Sequence, residues 1–298
     1  MIRGFNVVES EINDDAHIVF NLSVLKSLVT LGRLDAFNCS ESLYLLYDDI
    51  YPEVSAYRGA YPHRNSNYLF LTGSWRVLFK CLLLAGEKVV IFHNFYEFLE
   101  NSTFRARSKR ILYEILIRLG HVKPVVLNNF IRNWISTRLS TEHFVLQIYY
   151  DDEIIRRLAI EEVESISDQV IFGNLFPGKI DERLLHSMKP KHFGKLHGGF
   201  IYSKSINRYL SINEYYSIFS AASSVLILNN NNHRVASGII ADAVALGKTV
   251  ISGKDDFLMD LIQNYNLEHE VWDDMIKIDF SELNNLFEVK HKEDLKKI

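Results

Sequence analysis

The stretch from Ser223 to Gly253 constrains the fold more than any other part of the sequence. Residues 224–228 are apolar and rich in β-branched side chains, which predicts a buried strand. A polar loop with four consecutive asparagines follows, and Ser237-Gly238 opens an apolar helical pattern. Thr249–Ile251 predicts the next strand. Strand, polar loop, helix and strand in this order indicate one unit of a parallel α/β sheet.

The start of this predicted helix is suited to an anion. Its first backbone N–H groups lack helical partners, and the helix dipole favours negative charge there. His233 and Arg234 add side-chain donors to the same loop. The stretch therefore predicts a phosphate-bearing ligand. A simpler interpretation, an ordinary helix N-cap with a solvent-facing arginine, stays open.

Composition and motifs argue against several classes of protein. The chain has 298 residues, a formal net charge of −4 and two cysteines, Cys39 and Cys81. This charge argues against a protein built to coat nucleic acid, and the few cysteines favour a reducing compartment. We see no signal-peptide pattern and no apolar run of membrane-spanning length, and we therefore expect a cytoplasmic protein. The sequence contains no paired metal-ligand spacing, no Walker loop and no dinucleotide fingerprint.

Strands and helices alternate in two runs along the chain, which predicts an α/β fold with mostly parallel sheets. We expect two Rossmann-like domains, residues 1–160 and 161–298, with a ligand cleft between them. The lysine-rich tail, after a final helix near Ser281–Phe287, is expected to fray. The predicted strands include Phe5–Val8, Ser42–Leu46, Lys88–Phe92, Val170–Phe172 and Leu196–Ile201.

Ligands of open parallel sheets bind beyond the carboxyl ends of the strands. In the first half this rule selects Glu9–His17 and His93–Tyr96. In the second half it selects Gly173–Lys179, Gly198-Gly199 and Asn229–Gly238.

Three segments of the second half, in order, carry a family resemblance. They are IFGNLFPGKID (Ile171–Asp181), LSINEYYSIFSAASSVLILN (Leu210–Asn229) and HRVASGIIADAVALGKTVISG (His233–Gly253). Together they resemble the donor-binding half of GT-B glycosyltransferases, the two-Rossmann-domain enzymes that use nucleotide sugars. The common form of the last motif has two glutamates eight positions apart. Here Arg234 stands at the first position and Asp242 at the second.

The resemblance implies a site for a nucleotide-sugar donor. Lys179 is expected near the donor diphosphate, and Ser237 and Gly238 are expected to offer donors to phosphate. Asp242 would approach the ribose or the donor sugar, and Arg234 would offset charge on the leaving nucleoside diphosphate, a task that needs no metal or other cofactor in this fold. The implied donor-binding residues are Gly173, Lys179, His233, Arg234, Ser237, Gly238 and Asp242.

The first half would bind the acceptor and supply a general base. An inverting enzyme needs such a base within hydrogen-bond reach of the acceptor hydroxyl. Glu9, Asp15, His17 and His93 are the titratable residues near strand ends. We expect Asp15 or His17, at the start of the first helix, to be the base, with His93 as the reserve. A plain structural role for each histidine stays open.

Residues 104–119 mix five basic residues with apolar ones at helical spacing. A basic amphipathic helix of this kind can lie on an anionic membrane surface. The alternative is a solvated helix whose apolar face packs on the sheet. Membrane contact would suit a lipid-linked glycan acceptor.

The leading hypothesis is a cytoplasmic glycosyltransferase, peripheral at a membrane, that extends a surface polysaccharide or oligosaccharide from a nucleotide-sugar donor. Two alternatives stay open. One is a non-catalytic partner subunit that keeps the fold, and the other is a two-domain nucleotide-sugar epimerase, which processes the donor without an acceptor.

Overall fold

A computed structural model describes residues 4–9, 17–59, 67–93, 103–139, 141–160, 169–177, 180–228, 238–253, 256–272 and 275–298. These residues form two compact α/β units. Unit 1 contains the described residues up to Ile148 together with Phe287–Ile298, and unit 2 contains the described residues from Tyr149 to Leu286. The predicted α/β class is thus confirmed, whereas the cleft and the domain roles stay predictions.

Unit 1 is built on a sheet in which every described pairing is parallel. The strand order is β2-β1-β3-β4-β5-β6. Strand β2 lies on one side of β1, and β3 and the later strands lie on the other side. The direction in which successive strands are added to the sheet therefore reverses between β1 and β3. The strands are β1 (Phe5–Val8), β2 (Leu34–Asn38), β3 (Asn67–Phe70), β4 (Lys88–Phe92), β5 (Lys123–Val126) and β6 (Phe144–Val145).

Helices connect these strands and bury apolar faces against them. Short polar residues cap two of the helices, because the Ser74 and Asn128 side chains accept backbone N–H groups of the first turn. A 3-10 helix, Pro52–Tyr57, precedes β3. The α-helices are α1 (Ile18–Thr30), α2 (Glu41–Ile50), α3 (Trp75–Leu83), α4 (Phe104–Arg118) and α5 (Asn129–Ser136).

Unit 2 contains a sheet of order β12-β13-β11-β10-β7-β8-β9. Five neighbouring strands pair in parallel, in the order β11, β10, β7, β8 and β9. Strand β13 pairs antiparallel with β11, and β12 pairs antiparallel with β13. The strands are β7 (Gln169–Phe172), β8 (Lys191–Phe193), β9 (Ser205–Ile206), β10 (Ser224–Ile227), β11 (Thr249–Gly253), β12 (Glu270–Trp272) and β13 (Met275–Asp279).

The helices of unit 2 begin with α6 (Asp152–Leu158) and α7 (Glu182–Met188), which Asp151 and Asp181 cap. A capping box formed by Ser211 and Glu214 starts α8 (Ile212–Ala221). The remaining helices of unit 2 are α9 (Gly238–Ala245) and α10 (Asp256–Tyr265). The last helix, α11 (Asn284–Lys297), begins in unit 2, but its residues from Phe287 onward belong to unit 1. None of the described helices combines the length and apolar character that a membrane span requires.

Two predicted strands are wrong. Ser42–Leu46 lies in α2, whose buried residues Leu43, Tyr44 and Tyr47 follow helical spacing. Leu196–Ile201 is a loop, because Gly198 and Gly199 have φ values of 61° and 76°, in the left-handed region that a strand excludes.

The predicted fraying of the lysine-rich tail is also wrong, because α11 runs to Lys297 and buries Phe287, His291 and Leu295. In unit 1, Nδ1 of His291 lies 2.6 Å from the Gln147 carbonyl oxygen, and Asp294 accepts the Gln147 backbone N–H at 3.2 Å. Buried contacts at helical spacing therefore hold the final turns in place.

Candidate functional site

The reversal of strand order in unit 1 lies between β1 and β3. In open α/β sheets, ligands bind beyond the carboxyl ends of the strands at such a point. Glu9 directly follows β1, Leu71 follows β3, and His93 follows the neighbouring β4. Three adjacent strands thus deliver residues of the first half to one edge of the sheet.

His17 and His93 lie against each other at this edge. Their ring centroids are 4.1 Å apart, with the planes inclined by 40°. Nε2 of the buried His93 lies 2.9 Å from the carbonyl oxygen of Leu71. Because a carbonyl only accepts, Nε2 carries the proton and Nδ1 is the unprotonated nitrogen. Burial, and secondly the neighbouring His17, lowers the pKa of His93 to about 3, so the ring is neutral at physiological pH.

Contacts made by α1 set the position of His17, which is the N-cap of that helix. Phe20 meets the His93 ring edge-on, with centroids 5.0 Å apart. Asn21, one helical turn after His17, donates a side-chain hydrogen bond to Glu9. Because residues four apart share a helix face, the same side of α1 carries His17 and the anchor to β1.

Glu9 is the buried carboxyl at the end of β1. It accepts hydrogen bonds from Asn21 and from the Tyr47 hydroxyl, the latter at 2.7 Å. Burial raises the pKa of Glu9 to about 7, although both hydrogen bonds act in the opposite direction. Each carboxyl oxygen has a partner from a different helix. Glu9 thus ties α1 and α2 to the strand end.

The corresponding reversal in unit 2 lies between β7 and β10, which pair in parallel with Val225 opposite Val170. Gly173 directly follows β7, and Leu228 directly follows β10. Asp181 donates its backbone N–H to the Leu228 carbonyl at 2.9 Å. The end of β10 therefore lies beside the residue that begins α7. The predicted donor segment after Leu228 thus starts close to Asp181, which follows the other predicted donor segment.

Gly173 holds a backbone position that favours glycine, with φ of 97°. Its N–H donates to Phe193 at 3.0 Å, and its carbonyl accepts from Nε2 of His192 at 2.8 Å. A Cβ on Gly194 would overlap this carbonyl oxygen. The turn after β7 is thus fixed by two neighbours at the end of β8.

Asp242 lies on α9, and its carboxylate is buried. The hydroxyl of Tyr215 donates to Oδ2 at 2.7 Å, and that of Tyr216 donates to Oδ1 at 2.9 Å. Burial raises the pKa of Asp242 to about 7, while the two hydrogen bonds lower it. The structure thus places this predicted donor residue in a tyrosine pair from α8. Its role toward a ribose or sugar stays a prediction.

Gly238 is the first residue of α9, one turn before Asp242. A Cβ on Gly238 would lie 3.5 Å from the Tyr150 hydroxyl oxygen, an ordinary van der Waals distance. The helix start thus has a buried tyrosine beside it in unit 2. Asp242 and burial together raise the pKa of this tyrosine, burial contributing most.

Five predicted site residues lie outside the described part of the chain, and their roles stay predictions. They are Asp15, Lys179, His233, Arg234 and Ser237.

In the described ranges, no group of three His, Cys, Asp or Glu side chains is arranged to hold a metal ion. The expectation that no metal or cofactor is needed stays a prediction.

Glu9 was predicted as a titratable residue near a strand end, but its hydrogen-bond partners were not predicted, and neither were those of Asp242. Asn21 had left a signal, since it is a polar residue inside an otherwise apolar helical run. Nothing in the sequence marks Tyr215 and Tyr216 as partners of a buried carboxyl, because tyrosine is common on partly buried helix faces.

The described chain is an α/β protein with two mostly parallel sheets. Two solved structures similar to it are glycosyltransferases. The spinosyn forosaminyltransferase SpnP is 10% identical, with a TM-score of 0.38 over 88% of this chain and 84% of that chain. The glycosyltransferase SnogD from Streptomyces nogalater is 13% identical, with a TM-score of 0.37 over 89% of this chain and 85% of that chain. No protein-family model matches the sequence, and no curated protein matches it.

Proposed function

We propose that this protein is a glycosyltransferase that moves a sugar from a nucleotide-sugar donor, bound by unit 2, to an acceptor hydroxyl, bound by unit 1. One observation carries the proposal. The hydrogen bond from Asp181 to Leu228 joins the segments that flank the predicted donor loops, at the strand-order reversal of unit 2. This is the place where open α/β sheets bind nucleotides.

The donor diphosphate would occupy the start of α9. Gly238 offers a backbone N–H there, and the helix dipole favours the negative charge. Ser237, His233 and Arg234 would add side-chain donors, and Lys179 would approach from the loop after Gly173. As the bond to the sugar breaks, its electron pair leaves with the nucleoside diphosphate. Positive side chains would stabilise that charge without a metal.

The acceptor oxygen would attack the anomeric carbon and lose its proton to a base in unit 1. His93 suits this task poorly, because its pKa of about 3 makes it a weak base at neutral pH. We propose His17 as the base, since it sits at the strand-end edge and is only partly buried. His93 then supports the His17 ring. Asp15, two residues earlier, is the alternative base.

The acceptor class that we propose is a surface polysaccharide or oligosaccharide carried on a lipid. A donor-binding test comes first, by calorimetry with uridine, guanosine, adenosine, cytidine and thymidine diphosphates on the folded full chain. The proposal expects one or two of them to bind. Failure of all five would contradict it.

A non-catalytic partner subunit is the second candidate. The observation that favours it is that both Asp242 oxygens already accept tyrosine hydrogen bonds. Incubation of the protein with a nucleotide sugar, with and without acceptor glycan, distinguishes a transferase, an epimerase and a non-catalytic subunit. Acceptor-dependent release of nucleoside diphosphate supports the transferase. Donor conversion without acceptor would indicate an epimerase, and binding without turnover would favour the partner subunit.

A further inference from the structure

The outward faces of α3 and α4 expose large apolar side chains. Phe79, Leu82 and Leu83 project from α3, while Ile111, Ile115 and Leu119 belong to α4 and the turn after it. Their exposed fractions run from 47% to 86%. The two helices contact each other, and we call their exposed apolar residues together the α3–α4 face. Contiguous exposed apolar surface usually marks an interaction site.

This face is additional to the surface that each helix buries. Val77, Leu78 and Cys81 of α3 pack in the core of unit 1, as do Tyr113 and Leu116 of α4. The sheet is thus already covered by other side chains of the same helices.

Helical spacing groups the exposed residues into rows. Ile111, Ile115 and Leu119 are four residues apart, so they line one side of α4. On α3, Phe79 and Leu83 share the same spacing. Trp75 meets Phe79 edge-on with ring centroids 4.5 Å apart, which adds an aromatic pair of the type that favours a water–lipid boundary.

The described charged side chains of α3 and α4 are mostly positive. Among described side chains, α3 and α4 carry six basic residues and one acidic residue, Glu114. Glu114 pairs with Arg110 at 2.9 Å and with Arg118 at 3.8 Å. Arg107 is exposed one turn before Ile111, and Lys80 is exposed beside Phe79. A partner that covers this face must therefore accept apolar side chains and excess positive charge together.

We infer that the α3–α4 face docks on a bilayer that contains anionic lipid. Apolar side chains enter the boundary between headgroups and acyl chains, and the surrounding Lys and Arg side chains meet anionic headgroups. A second copy of this chain fits less well, because it would bring a like-charged face against this one. The inference goes beyond the proposed activity, and its test needs no turnover.

The test is co-sedimentation of the full chain with vesicles of phosphatidylcholine, with or without about one third phosphatidylglycerol. Binding should require the anionic lipid and should weaken strongly near 1 M salt, where screening acts within about 3 Å. Equal binding to both vesicle types, or none to either, would overturn the inference.

Two variants and a control sharpen this test. Lys80→Ala with Arg107→Ala should weaken binding about thirtyfold, since each cation contributes about fivefold. Ile111→Ser with Ile115→Ser should weaken it at least about tenfold. Ile201→Ser, at a position 85% exposed in unit 2, should leave it unchanged. Light scattering then measures the oligomeric state of both proteins. A dimeric wild type and a monomeric Ile111→Ser, Ile115→Ser variant would overturn the inference in favour of self-association.

Discussion

The His17 and His93 rings lie 4.1 Å apart at the carboxyl edge of the unit 1 sheet. The two residues come from different parts of the chain, since His17 is the N-cap of α1 and His93 directly follows β4. The Leu71 carbonyl fixes the tautomer of His93, and Asn21 and Phe20 fix the start of α1. A partly buried imidazole is thereby held beside a neutral one, at the edge where we propose that the acceptor binds.

The proposed base is tested by His17→Ala. Loss of a general base lowers turnover by about 10²–10⁴-fold, so kcat should fall by that range while nucleoside diphosphate affinity stays constant. Steady-state kinetics and calorimetry check both parts. His269→Ala, at an exposed histidine of unit 2, is the control and should behave as wild type. If Asp15→Asn abolishes turnover while His17→Ala turns over normally, the general base is Asp15.

Burial of His93 predicts acid sensitivity. Its pKa falls from 6.5 to about 3 on folding, so between these values the unfolded chain binds the extra proton. Stability should therefore drop as pH falls below about 6.5, by at most about 1.4 kcal/mol per pH unit from this group. His93→Gln, whose amide can still donate to Leu71, should remove that component in urea unfolding at pH 7.5, 6 and 5. An unchanged pH slope would show that His93 is not buried as described.

Glu9 predicts the opposite pH dependence. Its pKa rises from 4.5 to about 7 on folding, so the native state holds the extra proton in that window. Its contribution to stability should fall as pH rises from about 4.5 to about 7 and stay constant above. In urea unfolding, the stability of Glu9→Gln relative to wild type should increase as the pH rises from 5 to 8. A relative loss over the same range would contradict the assigned pKa shift.

The tyrosine pair around Asp242 is tested by Tyr216→Phe. The hydroxyl donates to Asp242 and lowers its pKa, so removal should raise the pKa further above about 7. The variant should lose about 1–3 kcal/mol at pH 8.5, where the carboxylate is ionised, and less at pH 6. Thermal unfolding at both pH values measures this. Tyr209→Phe, at an exposed tyrosine, is the control and should not change stability. An equal loss of stability at both pH values in Tyr216→Phe would show that the effect does not depend on ionisation of Asp242.

Periodicity predicted the α/β class and most buried strands, because residues 89–92 and 225–227 are apolar runs with clear ends. It failed at Ser42–Leu46, where a short apolar run suits either a strand or a helix face. It also failed at Leu196–Ile201, since the backbone angles of Gly198-Gly199 leave no trace in composition.

The candidate site was predicted only in outline. The strand-end rule selected Glu9, His17 and His93, and these do lie at one sheet edge. Their contacts depend on strand order, which places β4 beside β3 and sets Leu71 against His93. Local sequence does not encode such long-range neighbours. The same applies to Asp242, whose tyrosine partners lie 26 and 27 residues away.

The claim that the start of α9 binds the donor diphosphate has one most direct test. Gly238→Asp adds a carboxylate there, and among the described residues the new Cβ would meet only the Tyr150 hydroxyl oxygen, at an ordinary 3.5 Å. An acidic residue in the first turn also suits the helix dipole, so folding should be preserved. Ser211→Asp places the same charge at the start of α8 and serves as the matched control. In calorimetry with the nucleoside diphosphate that binds wild type, Gly238→Asp should weaken affinity at least about tenfold, through repulsion of the diphosphate, and Ser211→Asp should not. Unchanged affinity in a folded Gly238→Asp protein would contradict the account.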